Sequence, residues 1–406
     1  MFFGGKNKGD SEAVLIINLN SVGVSASLVL LKKGDRPKVI FPIFEPIGLH
    51  DTPDAVLQEK ALASALEKAM TRISHDGIRH LSSAGFGLRV RDVLCFISPL
   101  WHVSKVKDIH IDFKDGGLLW AEDVADLLEK EGEAFLSETA HSAGGHRPSF
   151  EVFEKRIMKF FLNDYPTSAP YGAKCRYADM PVFLSAGHKT IMDSSRSAIH
   201  RHFPHANVSF HSSVFASYVA IRDYYPDKDD FLLVIISAEN TEVVVVRRDI
   251  IVESISFPLG EGLLVRSVVK KMPKIDPKVA LSVLRMRSEY SLNDSAHNKI
   301  SDALSKMQDD WMRAFADALA NLSSEIFLPR DMLVLGESIQ SGSFFGSLIS
   351  NNFESIKKNI ADWNIEPVDG SFAGAFVSKD SSLDILPVSA LSSYYANRHF
   401  ETGERE

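Results

Sequence analysis

Several side chains in this 406-residue sequence invite a chemical reading. Ser338 sits in GESIQ, after an apolar strand and before a helix-forming stretch, as the nucleophile of a hydrolase elbow would. The second glycine of G-x-S-x-G is missing, and no acid and histidine follow at suitable positions, so Ser338 reads better as a helix-entry serine. His200, His202, His205 and His211 cluster in HRHFPHANVSFH. A metal centre needs convergent ligands at fixed geometry, whereas this stretch crosses a proline loop without a cysteine or acidic partner, so no metal site is expected. No catalytic residue emerges. More telling are two apolar hairpins with polar turns, VLIINLNSVGVSASLVLL at 14–31 and FLLVIISAENTEVVVVRRD at 231–249. Asn18, Ser21 and Asn240 in those turns are residue types that satisfy their own backbone in tight reversals.

The length exceeds one ordinary core and points to several lobes. A net charge of -8 argues against nucleic acid as the main partner, because phosphate binding needs a basic face. Cys95 and Cys175 suggest a reducing compartment, and no apolar run reaches the roughly 20 residues of a membrane span, so a cytoplasmic protein is expected. The leader MFFGGKNKGD reads as a flexible terminus or a weak tether, with Phe2 and Phe3 beside Lys6 and Lys8.

The elements around the hairpins follow a pattern. After the first come KKGDRP, a turn, and KVIFPIFEP at 38–46, a third strand. Residues 54–73 then carry Val56, Leu57, Ala61, Leu66, Met70 and Ile73 near one helical face, with Gly77 to end it. Between 86 and 205 the pattern changes to buried strands at 93–99 and 180–187, an alternating strand at 109–113, and helices over 119–138 and 188–202. NDYPTSAPYGAKCRY at 163–177 mixes aromatic and basic residues in a loop or edge strand. The later half repeats the opening: hairpin, third strand at 250–260, then helices, with Leu304, Met307, Trp311, Phe315, Leu319 and Leu322 on one stripe. Strand–turn–strand–turn–strand–helix occurs twice, which predicts two similar α/β lobes facing each other across a cleft.

The stations N-L-N-S (18–21), I-I-S-A-E-N-T-E (235–242) and V-L-G-E-S (334–338), in this order, resemble those of the actin-like ATPase superfamily, most closely its FtsA and PilM branch. The block 86–205 resembles the insert peculiar to that branch, and VSFHSSVFASYVAI at 208–221 its segment before the second phosphate hairpin. The resemblance implies an α/β, actin-like (ribonuclease H-like) duplicated two-lobe fold with a small α+β inserted subdomain. It divides the chain into a leader at 1–10, a first lobe at 11–85, an SHS2-like insert at 86–205, a second lobe at 206–390 with a helical subdomain at 260–330, and a tail at 391–406.

The same resemblance assigns Asn18, Ser21, Ser237, Asn240, Thr241, Glu242 and Gly336 to phosphate and nucleoside loops. These loops depart from what nucleotide chemistry requires. Asn18 and Ile235 replace the two acids that a magnesium ion among phosphates calls for, and Ser237, Ala238 and Glu239 replace three glycines. Glu239 pointing inward would repel phosphate unless a cation offset it. Glu337 replaces the neighbour of Gly336. ATP and magnesium are therefore disfavoured as cofactors, and a non-enzymatic adaptor is expected. The resemblance implies a scaffold at the inner face of the membrane, PilM-like in pilus or secretion-platform assembly. Its partner would be the cytoplasmic tail of an inner-membrane protein, with self-association open. The alternatives are an FtsA-like division adaptor or an active actin-like ATP-binding protein.

Overall fold

The computed structural model describes residues 11–48, 55–83, 89–142, 149–271, 294–322, 328–337, 341–352, 363–368, 370–379 and 383–402. The leader at 1–10 and Ser338 lie outside them. The chain opens with strands β1 (Ser11–Leu19), β2 (Gly23–Lys32) and β3 (Lys38–Pro46) and helix α1 (Ala55–Arg72). A π-helical turn, Ile73–Gly77, carries α1 on into α2 (Ile78–Ser83), beyond the expected stop at Gly77. Then come β4 (Asp92–Ile97), β5 (His102–Leu118), α3 (Ala121–Ser142), β6 (Phe150–Ile157), β7 (Phe160–Leu162), β8 (Tyr165–Thr167), β9 (Lys174–His188) and α4 (Lys189–His202). The second half holds β10 (Asn207–Ser212), α5 (Ser213–Tyr224), β11 (Phe231–Ile236), β12 (Thr241–Arg247), β13 (Ile250–Phe257) and α6 (Glu261–Lys271). It ends with α7 (Asp294–Asn321), β14 (Asp331–Gly336), α8 (Ser341–Asn351), β15 (Asn364–Val368), α9 (Gly370–Phe376) and α10 (Pro387–Thr402).

The duplication read from the hairpins is present in the sheets. The first runs β3-β2-β1-β4-β10 and the second β13-β12-β11-β14-β15. In each, the first three strands pair antiparallel and the last two join in parallel. Central β1 and β11 read as unbroken apolar runs because both faces of each sheet are covered. The first sheet packs α1 and α4 on one face, and the second packs α6, α7 and α8. Their other faces share one core with α5, α9 and α10. Arg248 and Asp249, at φ 50° and 64°, make the two-residue reversal between β12 and β13 that matches strand twist.

Three boundaries need correction. The strand at 93–99 and the helix at 188–202 belong to the first lobe, not to an insert spanning 86–205. β4 pairs with β1, and α4 buries Ile191, Met192, Ala198 and Ile199 in the core that holds α1. β10, assigned from sequence to the second lobe, is the edge strand of the first sheet. An apolar run specifies burial on both faces but not the sheet it joins, which is why these assignments slipped. The third sheet is thus confined to His102–His188. The ends of this insert meet, since the His188 amide donates to the Trp101 carbonyl at 3.1 Å. Finally, 391–402 is no tail: it lies in α10, whose Leu391, Tyr395 and Ala396 are buried between the sheets.

Candidate functional site

The two repeats meet at the carboxyl ends of their central strands. In the first, the turn after β1 is closed by reciprocal amide–carbonyl bonds between Asn20 and Gly23, and Ser98 follows β4 beside it. In the second, the Ser237 amide closes the turn after β11 on the Asn240 carbonyl, and Glu337 follows β14. The sheet geometry sets each strand end opposite its counterpart.

Ser21 bridges the gap. Its hydroxyl donates to Glu337 Oε2 at 2.9 Å and accepts the Ala238 amide at 2.8 Å. The Ser98 hydroxyl donates to Glu337 Oε1 at 2.7 Å and also lies 3.2 Å from Asn20 Oδ1. Glu337, 3% exposed, thus spans the gap with one carboxylate oxygen on each first-lobe serine. Burial, reinforced by the charge of Glu261 and opposed by the serine hydroxyls, raises its carboxyl to about 7. Sequence reading noted Glu337 only as a departure beside Gly336 and missed Ser98. Nothing in the local sequence pairs residues 239 positions apart.

The residues expected around one ligand are only partly together. Asn18 turns away from the gap: its amide donates to Ser389 Oγ at 3.4 Å and its carbonyl accepts from Ser392 Oγ at 2.6 Å, both on α10. Ser237 and Asn240 bond each other within their turn. The Thr241 hydroxyl donates to the Leu259 carbonyl at 2.7 Å and accepts the indole N–H of Trp311 at 3.1 Å. Glu242 faces the insert, where Ser104 donates to it at 3.4 Å. Burial lifts its carboxyl to about 7 against the pull of Ser104 and Ser254. Gly336 ends β14 opposite Ile236.

The cation that Glu239 requires is present, and it is Arg266. The guanidinium makes a paired contact at 2.8 and 2.9 Å with the two carboxylate oxygens. Arg266 projects from α6, whose start is fixed on the same turn. The Glu261 and Gly262 amides each donate at 2.8 Å, to the Ser237 and Ala238 carbonyls. Gly260 permits this approach, because a Cβ there would lie 2.1 Å from the Ser237 carbonyl oxygen.

A magnesium triphosphate does not fit turns folded in this way. The Ala238 amide is taken by Ser21, a buried carboxylate fills the gap, and Ile235 offers no oxygen to a hard cation. Among the described residues no group of three or more His, Cys, Asp or Glu side chains converges for a metal. Nor is any helix among them long and apolar enough to cross a membrane.

Comparison with solved structures agrees with this architecture. The chain superposes on a structure of the PilM-PilN type IV pilus biogenesis complex with a TM-score of 0.61 at 16% identity, covering 96% of this chain and 98% of that one. This chain has the PilM-like, actin-like ATPase fold. More distant matches, at TM-scores of 0.38 and 0.37, are a Bacteroides thetaiotaomicron protein with actin-like ATPase fold and unknown function and the cytoplasmic domain of EpsL from Vibrio cholerae. Their identities are 10% and 8%, and they cover 96% and 95% of this chain and 99% and 94% of theirs. No protein-family profile and no curated protein sequence matches the chain.

A hollow lies elsewhere in this PilM-like fold. A cavity of about 550 Å³ opens where the insert meets the first lobe, lined by β6, β10, α4, the starts of β1 and β4, and the end of α10. Both flanking strands, β6 and β10, are edges of their sheets. Phe153, Val208, Phe210 and Phe400 give it apolar walls, and Glu12, Asp92, Glu151, Arg156 and Arg196 a charged rim.

Proposed function

We propose that this protein is a PilM-like adaptor of a type IV pilus or secretion platform. It would hold the cytoplasmic tail of an inner-membrane protein in the hollow between insert and first lobe, with its nucleotide site degenerate. The supporting observation is the hollow itself. It lies between two sheet edges, and an extended tail adds readily to an edge strand. Parallel pairing turns alternate β10 amides, those of Val208 and Phe210, away from β4. Lobe closure by Glu337 in place of phosphate suits an adaptor, which needs a fixed shape and no turnover. The PilM-PilN complex, the structural match with the highest TM-score reported above, is itself a pairing of this fold with a second pilus protein.

The test is fluorescence anisotropy with a labelled synthetic tail of the pilus or secretion membrane protein encoded beside this gene. Saturable binding is expected, weakened at least tenfold by Val208→Pro, which blocks the edge and removes one outward amide. Binding left unchanged by Val208→Pro and by Phe153→Asp would move recognition to another surface.

A further inference from the structure

A side-chain cluster at the same hollow has chemistry of its own. Ser209 and His211 are two residues apart on β10 and therefore share a face of the first sheet. Ser209 Oγ lies 2.9 Å from His211 Nε2. The other ring nitrogen, Nδ1, is 3.6 Å from Oε1 of Glu154, a residue of β6 that is wholly buried. Glu154 is held in place: Oε2 accepts the Ser212 amide at 2.9 Å, and Oε1 accepts the Tyr395 hydroxyl at 3.3 Å. Burial pushes its carboxyl up, but His211, Arg156 and the Ser212 amide outweigh this and keep it below the ordinary value. A carboxylate beside Nδ1 favours the tautomer with the proton there, which leaves Nε2 to accept from Ser209. Ser209 is half-buried, and with His211 it lines the cavity of about 550 Å³.

We propose that Ser209, His211 and Glu154 form a nucleophile, a general base and its orienting acid that hydrolyse small carboxylic esters in this cavity. The three roles are recognised by geometry, whatever the fold. Ser209 Oγ attacks the ester carbonyl carbon as its proton passes to His211 Nε2. The tetrahedral adduct collapses with loss of the alcohol, which takes the proton back from Nε2. Water then attacks the acyl-serine by the same route, releasing the acid and restoring Ser209. The developing oxyanion needs a donor. Alternation in the β10–β4 pair supplies one in the Phe210 amide: Asn207 donates inward to Arg91 at 2.8 Å and Ser212 outward to Glu154, so the Phe210 amide also points outward, next to the nucleophile. Val14, Leu31, Leu94 and Phe400 offer the acyl chain an apolar wall.

This activity does not rest on tail capture, and the readouts are separate. The full chain is treated with a fluorophosphonate probe, the adduct is mapped by mass spectrometry, and p-nitrophenyl butyrate hydrolysis is followed in parallel. Labelling at Ser209 and turnover are expected, with both abolished in Ser209→Ala. His211→Gln should slow labelling about 100-fold or more, and Glu154→Gln about tenfold. Ser209→Ala is conservative at a half-buried site, so a melting curve matching wild type shows that the fold survives. An unlabelled Ser209 in the folded wild type, turnover that persists in Ser209→Ala, or undiminished labelling in a folded His211→Gln protein would each overturn the proposal.

Discussion

Ser98 and Glu337 are equivalent residues of the two repeats, and they bond each other at 2.7 Å. Each directly follows the strand that runs parallel to a central strand, and each donates its amide to that strand's last residue, Ser98 to Leu19 at 3.2 Å and Glu337 to Ile236 at 3.0 Å. The duplication thus meets itself at this contact, beside the bridge that Ser21 makes to Glu337 and Ala238. A side chain of the chain itself fills the gap between these strand ends.

Closure should weaken as pH rises. Burial pushes the Glu337 carboxyl up to about 7 in the folded protein, from an ordinary value of 4.5. The folded state therefore binds this proton more tightly than the unfolded chain does. The resulting stability is complete below pH 4.5 and is lost as pH rises through 7, by about 3 kcal/mol in order of magnitude. Glu242, also raised to about 7, acts with the same sign. Glu337→Gln cannot ionise, so its urea midpoint should exceed that of wild type at pH 8 and approach it at pH 5. Identical pH profiles for the two proteins would mean that the carboxyl is not strained by burial.

Nucleotide should not bind the wild type. Calorimetry with ATP and magnesium is expected to show no saturable heat, and a micromolar dissociation constant would reverse that reading. Replacing Glu239 with Gly and Ile235 with Asp addresses the wrong obstacle, because Glu239 is paired with Arg266 and the gap is held by Glu337. Glu337→Gly removes the whole side chain that fills the gap. If any variant gains phosphate binding, it should be this one.

Glu239→Gly should destabilise the protein by about 3 kcal/mol, since it strands Arg266 beside the turn. Glu239 is 8% exposed and the Arg266 side chain 21%, so water only partly compensates the lost partner. Chemical denaturation measures this, and Arg266→Met in the Glu239→Gly background should recover part of the loss. No recovery would show that the turn, not the stranded charge, carries the cost.

Excising the insert should depend sharply on where the cuts fall. Because Trp101 and His188 are joined by a backbone hydrogen bond, removing 102–188 with a short glycine linker leaves both lobe sheets whole. Removing 88–205 takes β4 and α4 as well, and with them a central strand and part of the first core. Cooperative unfolding is expected for the first deletion and not for the second. Equal behaviour would contradict the assignment of β4 to the first sheet.

Much of the fold was legible because it is written in short-range patterns. The hairpins at 14–31 and 231–249, the third strands, and the helix stripe from Leu304 to Leu322 are periodicities of neighbouring residues, and repetition of their order implied two lobes. The tertiary structure decided which sheet took each isolated apolar run, since β4 and β10 owe their place to pairing partners remote in sequence. It decided as well that Asn18 serves α10, that Arg266 neutralises Glu239, and that Ser98 and Glu337 close the gap. Those are contacts between side chains apart in sequence, and no local period encodes them: each exists only once tertiary packing has brought its partners within hydrogen-bonding reach.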